Sequence, residues 1–200
     1  MTWNRITPRA SARRALFSTA AAVALVAAFA GCGGGDSSAG GNSDKDADVE
    51  LLNGVLSRQL AAVDAYEHSI PALRGPAQEI ARRFRAQEQE HSVAIVKALR
   101  GLAAKSEPQP EPIEADDLRT PADHLAFLYE VEGATIDLEL SAISKLSETW
   151  PRSLLGAIVA NQAQHRLALR QLLGALGPEA IPSAFENGTE PVPGESTAGK

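Results

Sequence analysis

Hydrophobic residues recur every three or four positions along four stretches of the chain between residues 52 and 176. This spacing places them on one face of an α-helix, so it predicts four amphipathic helices. Proline and glycine mark the boundaries. Pro71 and Gly75 follow the first stretch, Pro121 and Pro151 open the third and fourth, and Gly177 follows the last. The four seams are Leu52, Leu56, Gln59, Val63 and Tyr66; Ile80, Phe84, Glu88, His91, Ile95, Ala98 and Leu102; Leu125, Leu128, Glu132, Ile136, Leu140 and Ile143; and Leu155, Ile158, Gln162, His165, Leu169, Leu172 and Leu176.

The links between the helices differ in length, and these lengths predict the topology. The first and third links are short, which favours two antiparallel hairpins. The middle link, residues 105–120, has 16 residues including three prolines and can span roughly 50 Å when extended. A helix of about 27 residues is roughly 40 Å long. The middle link can therefore return along the whole bundle, and the sequence predicts an all-α, up-down-down-up four-helix bundle with a long crossover.

Polar residues interrupt each seam near its middle. Two of the interruptions are i,i+3 pairs, and residues three apart lie on the same helix face. A buried carboxylate or imidazole is costly unless it is paired or binds a metal. The pattern therefore leaves two interpretations: a metal site, or a metal-free network in which amides and protonated histidines satisfy the two glutamates. The interrupting residues are Gln59, Glu88, His91, Glu132, Gln162 and His165.

An internal repeat connects the two halves of the bundle. Residues 59–64 align with residues 132–137 at an offset of 73, and residues 88–91 align with residues 162–165 at an offset of 74. Two similar hairpins joined by a crossover indicate a duplicated unit with pseudo-two-fold symmetry.

The interrupting residues resemble the metal-binding pattern of the ferritin-like superfamily over roughly residues 48–176. Bundles of that kind bind two metal ions with one Glu from each of two helices and Glu-x-x-His from each of the others. Glu88 and His91 match one such motif, Glu132 matches a single Glu, and His165 matches the second His. The resemblance implies that these four residues bind a divalent ion: iron, manganese or zinc. The sequence is similar to ferritin-like proteins of bacterial envelopes rather than to cage ferritins.

Two positions depart from that pattern, since Gln59 and Gln162 stand where the resemblance implies Glu, whereas Tyr66 fits it. An amide oxygen is a weaker ligand than a carboxylate and cannot bridge two metals, so both Gln are expected to contribute less. One ion, or none, then balances the charge better than two. Three functions stay open: a metal-binding module, a redox enzyme with a di-metal carboxylate centre, and a metal-free structural or interaction module. The sequence favours a protein without catalytic residues.

The first 31 residues predict an export signal. They contain four arginines and no acidic residue, and an apolar run over residues 15–30 is short for a membrane span, which needs roughly 20 residues. The run ends in Phe29-Ala30-Gly31-Cys32, which resembles the lipobox of bacterial lipoproteins and implies that Cys32 is lipidated as the first mature residue. Arg13 and Arg14 also resemble the twin-arginine motif, so Sec and twin-arginine export stay open.

Charge and cysteine content restrict the partners. The whole chain has a net charge of -6, and removal of residues 1–31 leaves 15 basic and 25 acidic residues, a net of -10. This balance argues against nucleic-acid binding. The lone Cys32 excludes an internal disulfide. We expect attachment to the membrane through a lipid on Cys32, either on the outer face of the cytoplasmic membrane or elsewhere in the cell envelope. The protein partner and oligomeric state stay open, a homodimer included.

The predicted organisation has four parts. They are a signal peptide (1–31), a lipidated cysteine with a flexible tether (32–47), the bundle (48–176) and a Pro/Gly-rich tail (177–200). Several charged or histidine side chains lie off the seams and are expected at the surface: Glu67, His68, His124, Glu130 and Glu139. Asp64 and Asp137 share one position of the repeat and are also expected at the surface. The alternative is that they accept a hydrogen bond from a histidine of the site.

Overall fold

The computed structural model describes residues 39–107, 109–115, 117–182, 188–189 and 191–193. Four α-helices account for most of them: α1 (Ala39–Ser69), α2 (Gly75–Gly101), α3 (Pro121–Lys145) and α4 (Thr149–Leu172). Two short 3₁₀ helices follow α1 and α4, at Ile70–Ala72 and Gly177–Ala180. The described residues contain no strand, which confirms the predicted all-α fold.

The short links join antiparallel neighbours, as the sequence predicts. α1 packs against α2 and α3 packs against α4, while α1 and α3 form the main contact between the two hairpins. Gly75 has φ +57°, a left-handed conformation that favours glycine at the turn into α2. The long link before α3 ends in a capping box, because Thr120 and Asp123 each accept a hydrogen bond from the other's backbone N–H. The up-down-down-up topology with its crossover is therefore confirmed.

α1 begins at Ala39, nine residues before the predicted start of the bundle at residue 48. The tether expected over residues 32–47 is thus helical from residue 39 onward. Its Gly, Ser and Asp content is unfavourable for a helix, but extending an existing helix adds one backbone hydrogen bond for each residue fixed. Residues 43–47 are mostly exposed, whereas Asp48 is buried. The extension therefore buries little, and packing of α1 begins close to the predicted boundary.

Asp48 connects the hairpins at one end of the bundle. Its carboxylate accepts hydrogen bonds from the backbone N–H groups of Ser147 and Glu148, at 2.7 and 2.9 Å, and from the Ser147 hydroxyl at 2.8 Å. These donors stand at the turn into α4, where backbone N–H groups lack partners within the helix. One acidic side chain of α1 therefore holds the start of α4.

The hydrophobic core consists of two clusters. One contains Tyr66, Phe84, Leu128 and Leu169, and the other contains residues such as Leu52, Leu56, Ile95, Leu99 and Leu155. Along each helix, the polar residues that interrupt the seam fall between the segments that supply the two clusters. The bundle thus has a buried polar layer with hydrophobic packing on both sides.

The described part of the C-terminal region packs against the bundle rather than forming only a tail. Ala180 and Val192 are buried, and Val192 belongs to the hydrophobic cluster that contains Tyr66 and Phe84. A Cβ atom built on Gly133 of α3 would overlap the carbonyl oxygen of Gly188. Among the described helices, none combines the length and the hydrophobicity that crossing a membrane requires.

Candidate metal centre

Three of the four helices bring three potential metal ligands together in the polar layer. Glu88 of α2, Glu132 of α3 and His165 of α4 each offer one ligand atom, and these atoms lie within 4.8 Å of one another. All three side chains are buried, with Glu88 and Glu132 fully inaccessible to solvent. This is the predicted convergence of residues from three seams at one level of the bundle.

His165 lies at the centre of this group. Its Nδ1 is 3.0 Å from Glu132 Oε1 and 3.0 Å from Glu88 Oε1, so one ring nitrogen faces both carboxylates. A single N–H can be donated to only one of them at a time. The other ring nitrogen, Nε2, lies 2.8 Å from Gln87 Oε1. Phe84 stacks on the imidazole with ring centroids 3.9 Å apart. The ring is therefore fixed in orientation by partners on α2 and α3.

His91 lies at the edge of the group. Its Nδ1 is 3.3 Å from Glu88 Oε2, and its side chain is 13% exposed, so it contacts Glu88 but is not among the three convergent ligands. Its ring centroid is 6.4 Å from that of His165. Gln162 donates from Nε2 to the same Glu88 oxygen at 3.2 Å. Both residues thus contact the site through Glu88.

Gln59 faces a residue that the sequence analysis placed at the surface. Its Nε2 donates to Glu139 Oε1 at 2.9 Å, and both side chains are fully buried. The expectation that Glu139 is exposed and Leu140 belongs to the seam was wrong, since Leu140 is 38% exposed. Glu139 is seven residues after Glu132, so it returns to the same helix face after two turns. That heptad spacing was the signal that could have found it.

Tyr66 completes the layer from α1. Its hydroxyl donates to Glu132 Oε1 at 2.5 Å, and its side chain is fully buried. Burial raises the pKa of the Tyr66 hydroxyl well above its usual value, and the charge of Glu132 raises it further. Tyr66 therefore remains a neutral donor to Glu132.

Burial and mutual pairing decide the protonation of the ligands. Burial raises the pKa of Glu88, but hydrogen bonds from His165 and His91 outweigh it and lower that pKa to about 2. Burial lowers the pKa of His165, but the Glu132 and Glu88 carboxylates raise it to about 9. Burial, followed by the charge of Glu88, raises the pKa of Glu132. At neutral pH the layer thus holds a Glu88 carboxylate beside a His165 imidazolium.

The layer has more oxygen acceptors than donors. Among the described residues, four of its buried side-chain oxygens accept no hydrogen bond: Gln59 Oε1, Glu132 Oε2, Glu139 Oε2 and Gln162 Oε1. Glu88 Oε1 shares the single Nδ1–H of His165 with Glu132. A buried acceptor without a partner costs free energy. A cation would satisfy several of them together, and it would take the place of the proton on His165. Carboxylate oxygens with an imidazole nitrogen are ligands that iron, manganese and zinc accept. The residues present therefore fit a divalent metal ion.

The family model of the ferritin-like domain matches residues 44–175 of the chain. The chain belongs to the ferritin-like domain family. Among curated proteins, none gives a significant match. The matched residues include nearly all of α1, the whole of α2, α3 and α4, and every polar residue of the layer.

Solved structures with the ferritin-like fold are similar to this domain. They include ferritin-like, diiron-carboxylate proteins from Bacillus anthracis (20% identity, TM-score 0.57), with 66% of this chain and 98% of that chain covered. A variant of Dps1 from Mycobacterium smegmatis has 18% identity and a TM-score of 0.62, with coverage of 66% and 98%. Bacterioferritin from Rhodobacter capsulatus, with a metal-free dinuclear site and heme iron, has 16% identity and a TM-score of 0.56, with coverage of 70% and 97%.

The remaining sequence expectations for the ferritin-like domain have mixed outcomes. Asp64, Asp137, Glu67, Glu130 and His68 are exposed, so neither aspartate lies in the buried layer. The expectation that His124 is solvated was wrong, because only 6% of it is exposed and its ring lies 5.7 Å from that of His68. Cys32, the signal peptide and the lipobox lie outside the described residues.

Gln87 was not predicted from the sequence, yet its Oε1 accepts a hydrogen bond from His165 Nε2. Gln87 lies off the apolar seam of α2 and is half-buried, so periodicity gave no sign of its role. Gln87 directly precedes Glu88 in α2 and reaches His165 only because α2 packs beside α4.

Proposed function

We propose that this chain is an exported, membrane-tethered lipoprotein whose ferritin-like domain binds a divalent metal ion. The observation that carries the proposal is the convergence of Glu88, Glu132 and His165 within 4.8 Å in a buried layer. His91 is the fourth ligand of the proposed site, at its edge beside Glu88. Gln59 and Gln162 offer weaker amide oxygens.

The charges of the site support a single ion in the Glu/His set. Glu88 and Glu132 supply two carboxylates, which neutralise one divalent cation, and His165 is neutral when its nitrogen binds metal. Metal binding by other members of the fold supports the proposal as well, since a similar solved structure is described as a diiron-carboxylate protein. A bound iron or manganese ion would supply a Lewis-acid or one-electron redox centre. The protein's own residues exclude water, orient His165 through Gln87 and Phe84, and hold Glu132 through Tyr66.

Metal analysis of the full-length chain tests the site. The wild-type protein, stripped by a chelator and dialysed against Mn²⁺, should retain at least one ion per chain by inductively coupled plasma mass spectrometry. His165→Gln should retain one equivalent fewer, because it removes the nitrogen that faces both carboxylates. His68→Gln is the matched control, since His68 is exposed and outside the layer. Wild-type protein without metal, or His165→Gln with an unchanged metal content, would contradict the proposal.

Cell fractionation tests the tether. The sequence Phe29-Ala30-Gly31-Cys32 after an apolar run supports lipidation of Cys32. In a bacterial host, the wild-type chain should be in the membrane fraction and incorporate labelled fatty acid. Cys32→Ser should lose the label and shift toward the unprocessed form. Equal labelling of the two proteins would exclude Cys32 as the attachment point, whatever the result of the metal analysis.

A further inference from the structure

Two histidines outside the polar layer lie beside each other where α1 ends and α3 begins. The chain has four histidines, and the layer contains His91 and His165. Of the other two, His68 is in the last turn of α1 and His124 is near the start of α3. Because α1 and α3 pack against each other, these two imidazoles come from different helices and meet only in the folded chain.

The separation of the two rings suits a shared metal ion. An imidazole nitrogen lies about 2.0–2.1 Å from a bound zinc ion, which puts the centroids of two rings that share the ion roughly 5–6 Å apart. The ring centroids of His68 and His124 are 5.7 Å apart, and the ring planes are inclined at 39°. Face-to-face packing brings rings closer, as it does for Phe84 and His165 at 3.9 Å. The histidine pair is therefore close enough to share an ion without being stacked.

Burial leaves one ring nitrogen of His124 without a partner. Only 6% of the residue is exposed, and its Nδ1 has no hydrogen-bond partner among the described residues. A buried polar atom without a partner costs free energy, which a bound ion would remove. Burial and the charge of His68 lower the pKa of His124 by more than Asp123 raises it. At neutral pH His124 is thus a neutral imidazole, which is the form that binds metal.

A cavity beside His68 offers room for the remaining ligands of such an ion. It lies between α1, the long link and α3, and its volume is about 240 Å³. A water molecule takes about 30 Å³, so several water ligands fit. Asp64 lies one helical turn before His68 and lines the same cavity, whereas no Lys or Arg is among the described residues that line it. The surroundings of His68 therefore favour a cation.

We propose that His68 and His124 together bind one divalent transition-metal ion that prefers imidazole ligands, such as Zn²⁺, Ni²⁺ or Cu²⁺. The ion joins the end of α1 to the start of α3, and water fills its other coordination positions. This site shares no residue with the Glu/His set and does not depend on the proposed function. Mn²⁺ is the weakest binder among the first-row divalent ions, so His68→Gln remains a valid control when the layer is probed with Mn²⁺.

Zinc binding by the full-length chain tests the histidine pair. All chains carry Cys32→Ser, because the thiolate would itself bind zinc. Each chain is stripped with a chelator and dialysed against Zn²⁺, and its zinc content is measured by inductively coupled plasma mass spectrometry. His68→Gln and His124→Gln should each retain one equivalent fewer than the parent chain, and the double variant should lose no more than either single variant. His165→Gln is the matched control, because it removes a layer histidine, and adding His68→Gln to it should still remove one zinc.

Nuclear magnetic resonance keeps the test decisive if His124→Gln folds poorly, since it uses the parent chain. Zn²⁺ should shift the imidazole signals of His68 and His124 together, along one saturation curve. A shift of only one ring, or of neither, would overturn the shared site. An unchanged zinc content in His68→Gln would do so too, as would the loss of two equivalents in the double variant. A chain that retains no Mn²⁺ but loses one zinc in His68→Gln would overturn the proposed function and support the histidine pair.

Discussion

Burial determines what each side chain of the polar layer does. Glu132, Glu139 and Tyr66 are fully inaccessible to solvent, so their partners decide their charge and stability. Tyr66 gives Glu132 a short hydrogen bond, and Gln59 gives one to Glu139. Each of these two carboxylates has a second oxygen that accepts no hydrogen bond, although Glu132 Oε1 also faces His165 Nδ1. The layer is thus held by a small number of hydrogen bonds, each of which matters for stability.

Removal of the Tyr66 hydroxyl tests this dependence. Tyr66→Phe keeps the ring, which packs edge-on against Phe84 at 6.3 Å, and removes only the donor to Glu132. The metal-free variant should lose about 1–2 kcal/mol of unfolding free energy, because a buried carboxylate loses a partner. Urea unfolding measures the loss. In a double-mutant cycle on a Glu132→Leu background, the same substitution should have little effect. An equal loss in both backgrounds would show that the hydroxyl does not act through Glu132.

At the scale of the helices, periodicity predicted the bundle but not every inward position. A period of 3.6 residues allows either the third or the fourth residue after Ile136 to face inward, and hydrophobicity favoured Leu140 over Glu139. Packing selected Glu139, because Gln59 of α1 offers it a hydrogen bond. The start of α1 was not predicted either. Amino-acid composition indicates the intrinsic helix preference of a segment, but it does not show that an already packed helix can extend into that segment. The convergence of the candidate ligands Glu88, Glu132 and His165 was predictable because each interrupts an apolar seam.

Asp48 offers a test of the contact between α1 and α4. Burial raises its pKa, but hydrogen bonds from the backbone of Ser147 and Glu148 outweigh that and lower the pKa below its usual 3.8. The carboxylate therefore contributes stability above pH 3.8, and this contribution is lost as the pH falls through the folded-state pKa. Asp48→Asn should be less stable than wild type by about 1–3 kcal/mol at pH 7.

The pH dependence distinguishes this contact from general packing. In urea unfolding, the difference between wild type and Asp48→Asn should shrink as the pH falls below 3.8, because the unfolded chain then binds a proton that the folded carboxylate binds only at lower pH. Asp46→Asn is the matched control, since Asp46 is exposed on the same helix and should change little at either pH. A stability difference that is the same at pH 3 and pH 7 would mean that the charge of Asp48 is not what holds α4.

At the scale of the whole molecule, the C-terminal region is part of the packed domain. Val192 enters the hydrophobic cluster around Tyr66 and Phe84, and Arg170 of α4 donates to the backbone carbonyl of Glu179. The closest approach is between Gly133 and Gly188, where each backbone occupies the space that a Cβ of the other would need. Gly133 directly follows Glu132, a member of the polar layer. The C-terminal segment therefore lies against α3 at the level of the polar layer.

Gly133→Ala tests whether the C-terminal segment depends on its contact with α3. The added methyl group should disturb the packing of that segment while it favours the helix itself. In a helix interior, Gly→Ala normally stabilises by about 0.5–1 kcal/mol. Gly156→Ala in α4, where a Cβ meets no atom within 4 Å, should show this gain in urea unfolding. Gly133→Ala should not, because its Cβ would displace Gly188. Hydrogen exchange should then be faster at Thr189 and Val192 in Gly133→Ala alone. Equal gains in stability and unchanged exchange in both variants would show that the segment does not depend on contact with Gly133.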